Sequence, residues 1–331
     1  MIRSLLTRTL AVTGLVLTTA APAFAADKVT FLLDWLPAGD KAAVYVAQAK
    51  GLFAAEGLEV TIQSGRGSSD VVTKLGTGAG DMGTGGLAAL LQARAESKVP
   101  VKAIASLYTI EPDAIFTTEG SGINSLKDIA GKKIATATFS SSNVVWPLLL
   151  QANGIDPAKV ELLKVDPGAL APMLASGKVD ATINWVTVAP GFEGPMNEVK
   201  KKLKVISWSD YGFTGYGLSV FASEKFLAER PDVARRTLKA FLAGNQMAIA
   251  DPKLAGASVK ASVGDIDAAV ADKQFAASIP LMDNAIAKKD GAGAFEKALL
   301  AKTWEWTAKS QNMPIEKLDP ETAVDRSFLP K

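Results

Sequence analysis

The 331-residue sequence contains neither cysteine nor histidine. Their absence removes Ser-His-Asp and Cys-His catalysis, HExxH zinc sites, zinc knuckles, haem ligation by histidine, and disulfide scaffolds. Carboxylate, lysine, tyrosine and serine chemistry stay open. An excess of one charge is missing too. Lys+Arg number 36 and Asp+Glu 34, and setting aside Arg3 and Arg8 in the first 25 residues leaves 34 of each. So balanced a chain offers no broad basic surface, and nucleic acid is not expected as a partner. Beyond the N-terminus no run approaches the ~18 uninterrupted apolar residues of a membrane span. No metal site and no cofactor are expected.

What is present begins with an address. Arg3 and Arg8 precede an apolar run over residues 10–21, followed by Ala23-Phe24-Ala25, a small-x-small pattern. The run is shorter than the ~20 residues that cross a bilayer. It reads as a signal peptide, residues 1–25, cleaved after Ala25. With no cysteine to carry a lipid anchor, the mature chain is expected to diffuse freely in a bacterial periplasm, without membrane insertion, as a monomer.

The mature chain alternates strand and helix. Strands are expected at residues 29–33, 58–62, around Met82, and at 101–107, with helices between, the first capped by Asp40. Gly83-Thr84-Gly85-Gly86 reads as a glycine-rich turn. It is not a phosphate-binding loop, because the Gly-Lys-Ser/Thr ending is missing. A second unit begins near Asp113, with strands at 114–117, 133–137, 160–165, 179–185 and 205–206. A strand at 218–222 follows, and then mostly helix, clearest at 231–250 and 294–310. Such a rhythm gives parallel sheet layered by helices. The expected domains are lobe one, from residues 26–111 and 212–331, and lobe two, from 112–211. Two chain crossings make a hinge with a cleft between the lobes.

The order of several short motifs resembles the solute-binding proteins of ABC importers. Within them it is most similar to the branch holding thiamine-pyrimidine precursor binders and nitrate, sulfonate and taurine binders. The carriers are Asp34-Trp35, the segment from Tyr45 to Phe53, Glu56-Gly57-Leu58, Gly67-Ser68-Ser69-Asp70, Gly80-Asp81-Met82-Gly83, the segment from Leu126 to Ala135, and the segment from Ala175 to Ala181. The resemblance covers residues 28–225. It implies a two-lobed type II periplasmic binding fold, α/β with a mixed, mainly parallel sheet in each lobe. It also implies delivery of a small molecule to the transmembrane subunits of an ABC permease, and no enzymatic activity. Eukaryotic relatives that make the thiamine pyrimidine use a histidine and a cysteine-rich segment, and this chain has neither residue.

In a two-lobed cleft, ligand groups come from carboxyl ends of strands and from helix N-termini. That selects Asp34 and Trp35 after the first strand, and Ser68, Ser69 and Asp70 at a helix start. It adds Thr84 and Gly85 in the glycine-rich segment, and Phe139, Ser140, Ser141 and Ser142 at the matching entry of lobe two. Asn184 and Trp185 end a strand, while Tyr211 and Tyr216 lie near the second crossing. Each has a plainer alternative: loop capping for Asp34, N-capping for the serines, a tight turn for the glycines, hinge packing for the tyrosines. Trp146, one turn further on, reads as packing. Asp34 and Asp70 are the expected charges, with Lys41 and Arg66 only at the margins. Trp and Tyr rings beside carboxylates favour a flat polar heterocycle such as a pyrimidine. Nitrate, an alkanesulfonate or taurine is the alternative. An exported carboxylate-dependent hydrolase and a sensory binding protein are the remaining ones.

Overall fold

The computed structural model describes residues 25–330. Residues 1–24, which hold all but the last position of the expected leader, lie outside the described residues. Ten strands form two five-stranded sheets. The first contains β1 (Asp27–Leu32), β2 (Leu58–Gln63), β3 (Met82–Gly86), β4 (Val101–Ser106) and β10 (Leu218–Ser223), in the order β2-β1-β3-β10-β4. The second contains β5 (Asp113–Thr118), β6 (Lys133–Ala137), β7 (Glu161–Val165), β8 (Ala181–Trp185) and β9 (Leu203–Ser207), in the order β7-β6-β8-β5-β9. In each sheet four strands run one way. The odd strand, β10 or β5, is antiparallel to both neighbours and is the first strand after a chain crossing. The mixed, mainly parallel sheets expected from the sequence are present.

The inner strands β3, β5, β6, β8 and β10 are buried along almost their whole length, as strands of a sheet covered on both faces are. In the first unit Phe31 stacks on Phe241 at 5.4 Å, tying β1 to the helix Pro231–Ala250. Gly244 lets that helix settle onto the helix Ala42–Ala49, since a Cβ there would lie 2.6 Å from the Ala43 carbonyl oxygen. In the second unit Trp146 packs as expected, 5.3 Å from Trp208, and Phe116 meets Phe192 edge-on at 5.0 Å.

Two local expectations are corrected. The Gly83–Gly86 segment is the fully buried strand β3, not a turn. Glycine is needed there because a Cβ on Gly85 would sit 2.5 Å from the Phe221 ring of the neighbouring strand. Asp40 does not cap the first helix; its side chain makes no cap hydrogen bond and is engaged by Lys41 and Thr187.

The C-terminal helices join both units. Ala268–Met282 packs against Ala189–Glu198, and Lys297–Ser310 packs against Ser142–Ala152. Gln311 donates from Nε2 to the Val144 carbonyl at 2.6 Å. Among the described residues no helix is long and apolar enough to cross a membrane.

Candidate functional site

The carboxyl end of β1 meets the carboxyl end of β8 across a narrow cleft. Nine residues line it: Asp34, Trp35, Asp40, Lys41, Ser68, Ser140, Asn184, Trp185 and Val188. Six of these nine were selected from the sequence. They come from both sheet units, which places the cleft between the two.

At its floor is a buried ion triad. The Lys41 ammonium lies 3.0 Å from Asp34 Oδ1 and 3.3 Å from Asp40 Oδ2, and its side chain is 1% exposed. Burial works against this ammonium, but attraction to Asp34 and Asp40 outweighs it and holds Lys41 above its ordinary value. Lys41 also stands 4.8 Å over the Trp185 ring, a cation–π distance. Thr84 donates its hydroxyl to Asp34 at 2.9 Å, and Thr187 donates to Asp40 at 2.8 Å from across the cleft. Formally the triad carries one net negative charge.

Two acceptors at this cleft are orphaned. Asp40 Oδ1 and Asn184 Oδ1 are buried with no hydrogen-bond partner among the described residues, while Asn184 Nδ2 is spent on Thr182 Oγ1 at 2.8 Å. Buried unpaired acceptors are costly and are ordinarily matched by a donor.

The walls are aromatic and hydroxylic. Trp35, half-buried, packs against the cluster of Leu170 and Phe192 in the second unit. Trp185, also half-buried, packs against the cluster of Phe31 and Tyr108 in the first, with its ring 6.0 Å from Tyr108. Ser68 accepts from the Gly86 backbone N–H at 2.9 Å, and Ser140 donates to Ser142 at 2.9 Å. A direct bond between the units, from the Ser69 N–H to the Phe139 carbonyl at 3.1 Å, closes one side.

The other selected residues stand around this cleft rather than in its lining. Asp70, expected as one of its charges, is taken up by Lys74 at 2.8 Å and Arg66 at 3.4 Å. These cations outweigh burial and hold its carboxyl below the usual range. The N-cap of its helix is Gly67, and none of Ser68, Ser69 and Asp70 caps it. Phe139 packs under the Arg66 guanidinium at 5.0 Å. Thr84 faces a smaller adjoining cavity, and Gly85 is covered by Phe221. Ser141 and Tyr216 line another adjoining cavity. The Tyr216 hydroxyl accepts from the Glu296 N–H at 2.6 Å, and burial pushes that phenol up to about 12. Tyr211 is elsewhere, its hydroxyl accepting from the Leu126 N–H at 3.1 Å. Both tyrosines satisfy backbone donors, which is the packing alternative.

Lys41 is the principal omission. The sequence places it beside Asp40 and after Asp34, but a lysine at the start of a helix ordinarily points to water. What surrounds it is Trp185 of the second unit, 4.8 Å away, together with first-unit residues such as Thr84 and Tyr108.

The comparisons with known proteins follow this geometry. A sequence model of the family described as NMT1/THI5 like matches residues 39–255. The 4-amino-5-hydroxymethyl-2-methylpyrimidine phosphate synthase of Schizosaccharomyces pombe is 26% identical over 238 residues, covering 68% of this chain and 67% of that protein. The riboflavin-binding protein RibY of Chloroflexus aurantiacus is 27% identical over 327 residues, covering 94% of this chain and 90% of that protein. Among solved structures, the periplasmic aliphatic sulphonate binding protein SsuA from Escherichia coli superposes with a TM-score of 0.66 at 14% identity, covering 90% of this chain and 97% of that one. The ligand binding component of an ABC-type import system from Staphylococcus aureus gives 0.65 at 13%, covering 91% and 100%. The structural matches establish the periplasmic binding protein fold. The sequence matches correct one expectation, that the chain is not an enzyme: relatives matched over two thirds of its length are named synthases. Missing histidine and cysteine narrow the chemistry available, but its relatives by sequence include proteins named as synthases and one named as a binding protein.

Proposed function

The chain belongs to the NMT1/THI5 like family, and from that premise we propose that it captures a flat, donor-bearing heterocycle between Trp35 and Trp185. The observation that carries this reading is the pair of orphaned acceptors, Asp40 Oδ1 and Asn184 Oδ1, at a cleft walled by two indoles. A ring bearing amino, imide or hydroxyl hydrogens supplies the missing donors while its faces meet the indoles. The triad's net negative charge disfavours a nitrate or sulfonate at the same spot. The second reading, an oxoanion, draws on the fold of the sulfonate binders and on Ser68 at a helix's first turn.

The mature chain works outside the cytoplasm, exported by the segment 1–25, and passes its ligand to an ABC permease. Lobe one is residues 26–111 and 212–331, lobe two is 112–211, and the remaining selected side chains hold the cleft in shape. The two sheets, and the periplasmic and importer proteins that share this fold, support that arrangement.

The test is a thermal-shift series with riboflavin, 4-amino-5-hydroxymethyl-2-methylpyrimidine, taurine, nitrate and MOPS, followed by calorimetry. A ligand at 100-fold over its Kd stabilises by about 2.7 kcal/mol, which is readily seen. A heterocycle is expected to raise Tm while the anions do not. Stabilisation by a sulfonate or nitrate with none from either heterocycle would overturn the reading.

A further inference from the structure

Trp185 lines a second cavity besides the cleft, about 200 Å³ in volume. Two acids, Glu111 and Asp113, line it as well. Glu111 lies on the first chain crossing and Asp113 opens β5. Both are buried, at 8% and 3% exposure. Asp113 is the register partner of Trp185 across the antiparallel β5–β8 pair, so the two side chains are direct cross-strand neighbours. The Ser142 hydroxyl donates to Asp113, and the Trp185 indole and the Glu111 carboxyl line the same cavity beside it.

Among the described residues, the lining of this cavity offers these acids no cation. None of the ten lining residues is basic. The other titratable group among them is Tyr216, a phenol pushed up to about 12 and so neutral. From the C-terminal helix, Thr303 lies beside Gly215 on the Glu111 side and does not titrate. Asp34, Asp40 and Lys41 belong to the cleft on which Trp185 also borders. Two adjacent buried carboxylates without a cation do not both ionise.

We propose that Glu111 and Asp113 share one proton at neutral pH and, through the charge on Asp113 directly across the strand pair from Trp185, fix where that ring stands. They are positioning residues for the cleft wall; that this bears on ligand capture rests on the reading given above. Glu111 keeps the proton, because burial, followed by the neighbouring Asp113 charge, holds it well above the ordinary carboxyl range. Asp113 is the anion. Burial pushes it up to about 6, against the pull of the Ser142 hydrogen bond. Below that pH the pair takes a second proton and the indole loses its charged neighbour. At neutral pH the wall is seated; in mild acid it loosens.

Two measurements test this without any ligand. The first is the infrared spectrum at neutral pH, in which wild type is expected to show a protonated carboxyl band that Glu111→Gln deletes. No protonated carboxyl, or a band unchanged by Glu111→Gln, would overturn the assignment. The second is the Trp185 emission, taken as wild type minus Trp185→Phe. It is expected to titrate with a midpoint near the about 6 of Asp113. Glu111→Gln keeps a neutral donor and should retain the titration, while Asp113→Asn should abolish it. A flat wild-type profile, or an unchanged midpoint in Asp113→Asn, would refute the positioning role. Should Asp113→Asn fail to fold, the infrared band and the wild-type profile still decide. Because no ligand enters, these results stand or fall separately from the identity of what the cleft holds.

Discussion

Lys41→Met is the sharpest perturbation the structure offers. It keeps most of the side-chain volume and removes one buried charge. In wild type the ammonium is 3.0 Å from Asp34 and 3.3 Å from Asp40. At an effective dielectric of about 20 each contact is worth roughly 5 kcal/mol of Coulomb attraction. Desolvation of all three charges offsets much of that. The observable is therefore the penalty for breaking the set, about 3–5 kcal/mol when one buried partner is removed. Against a whole-domain stability of about 5–15 kcal/mol that is a large fraction. Urea unfolding followed by circular dichroism reads it directly. A cycle with Asp34→Asn should show coupling, because once Asp34 is neutral the loss of Lys41 strands only Asp40; about 1–3 kcal/mol is expected. The pH dependence has a fixed sign. Lys41 is raised above 10.5 in the fold. Its contribution is therefore complete below its unfolded value of ~10.4 and is lost as pH rises through the folded one. The gap between wild type and Lys41→Met should stay constant from neutral to mildly alkaline pH and close only above that. A gap under about 1 kcal/mol, or strict additivity with Asp34→Asn, would refute the triad argument.

Two further substitutions probe the cleft and its closure. Trp185→Ala should weaken a stacked heterocycle by tenfold or more, about 1.4 kcal/mol or above, with unfolding midpoints read alongside; calorimetry giving unchanged affinity would remove the ring from the site. Gly67→Ala should hold the two units apart. A Cβ there would lie 2.3 Å from the Phe139 carbonyl carbon, at a φ of 144° that favours glycine. Small-angle scattering should report a larger radius of gyration for that variant, and an unchanged radius would contradict the closure contact.

Much of the fold was readable because it is written locally. Lys133–Ala137 and Pro231–Ala250 have the bounds that periodicity gave them. β3 was misread because three of its five positions are glycine, a residue that signals turns in isolation. Its strand state is imposed by β1 and β10 pairing on either side. The site divides the same way. Trp35, Ser68, Ser140, Asn184 and Trp185 stand at ends of elements, where the end-of-strand rule finds them. Sequence alone leaves Lys41 at the margins and reads Asp40 as a helix cap, because what makes them functional candidates is contact with Thr187 and Trp185, about 150 positions away. Asp70 failed for the converse reason: Arg66 and Lys74 neutralise it at helical spacing, a pairing visible in the sequence once the helix is placed.

The exchange of indoles shows how ligand capture and closure can be one event. Trp35 is carried by the first sheet unit yet packs on the apolar cluster of the second, and Trp185 is carried by the second yet packs on that of the first. Separating the units exposes part of both rings. An aromatic side chain buries about 150–250 Å² in full, so two half-buried ones place a few kcal/mol of apolar burial on the closed side at about 25 cal/mol per Å². The Ser69–Phe139 and Thr187–Asp40 hydrogen bonds add about 1 kcal/mol each. On the open side stands the cost of burying Asp40 Oδ1 and Asn184 Oδ1 without partners, about 1–3 kcal/mol each. A ligand that satisfies the two acceptors removes the main term against closure while leaving the indole burial in place, and that differential is what shifts a two-state population.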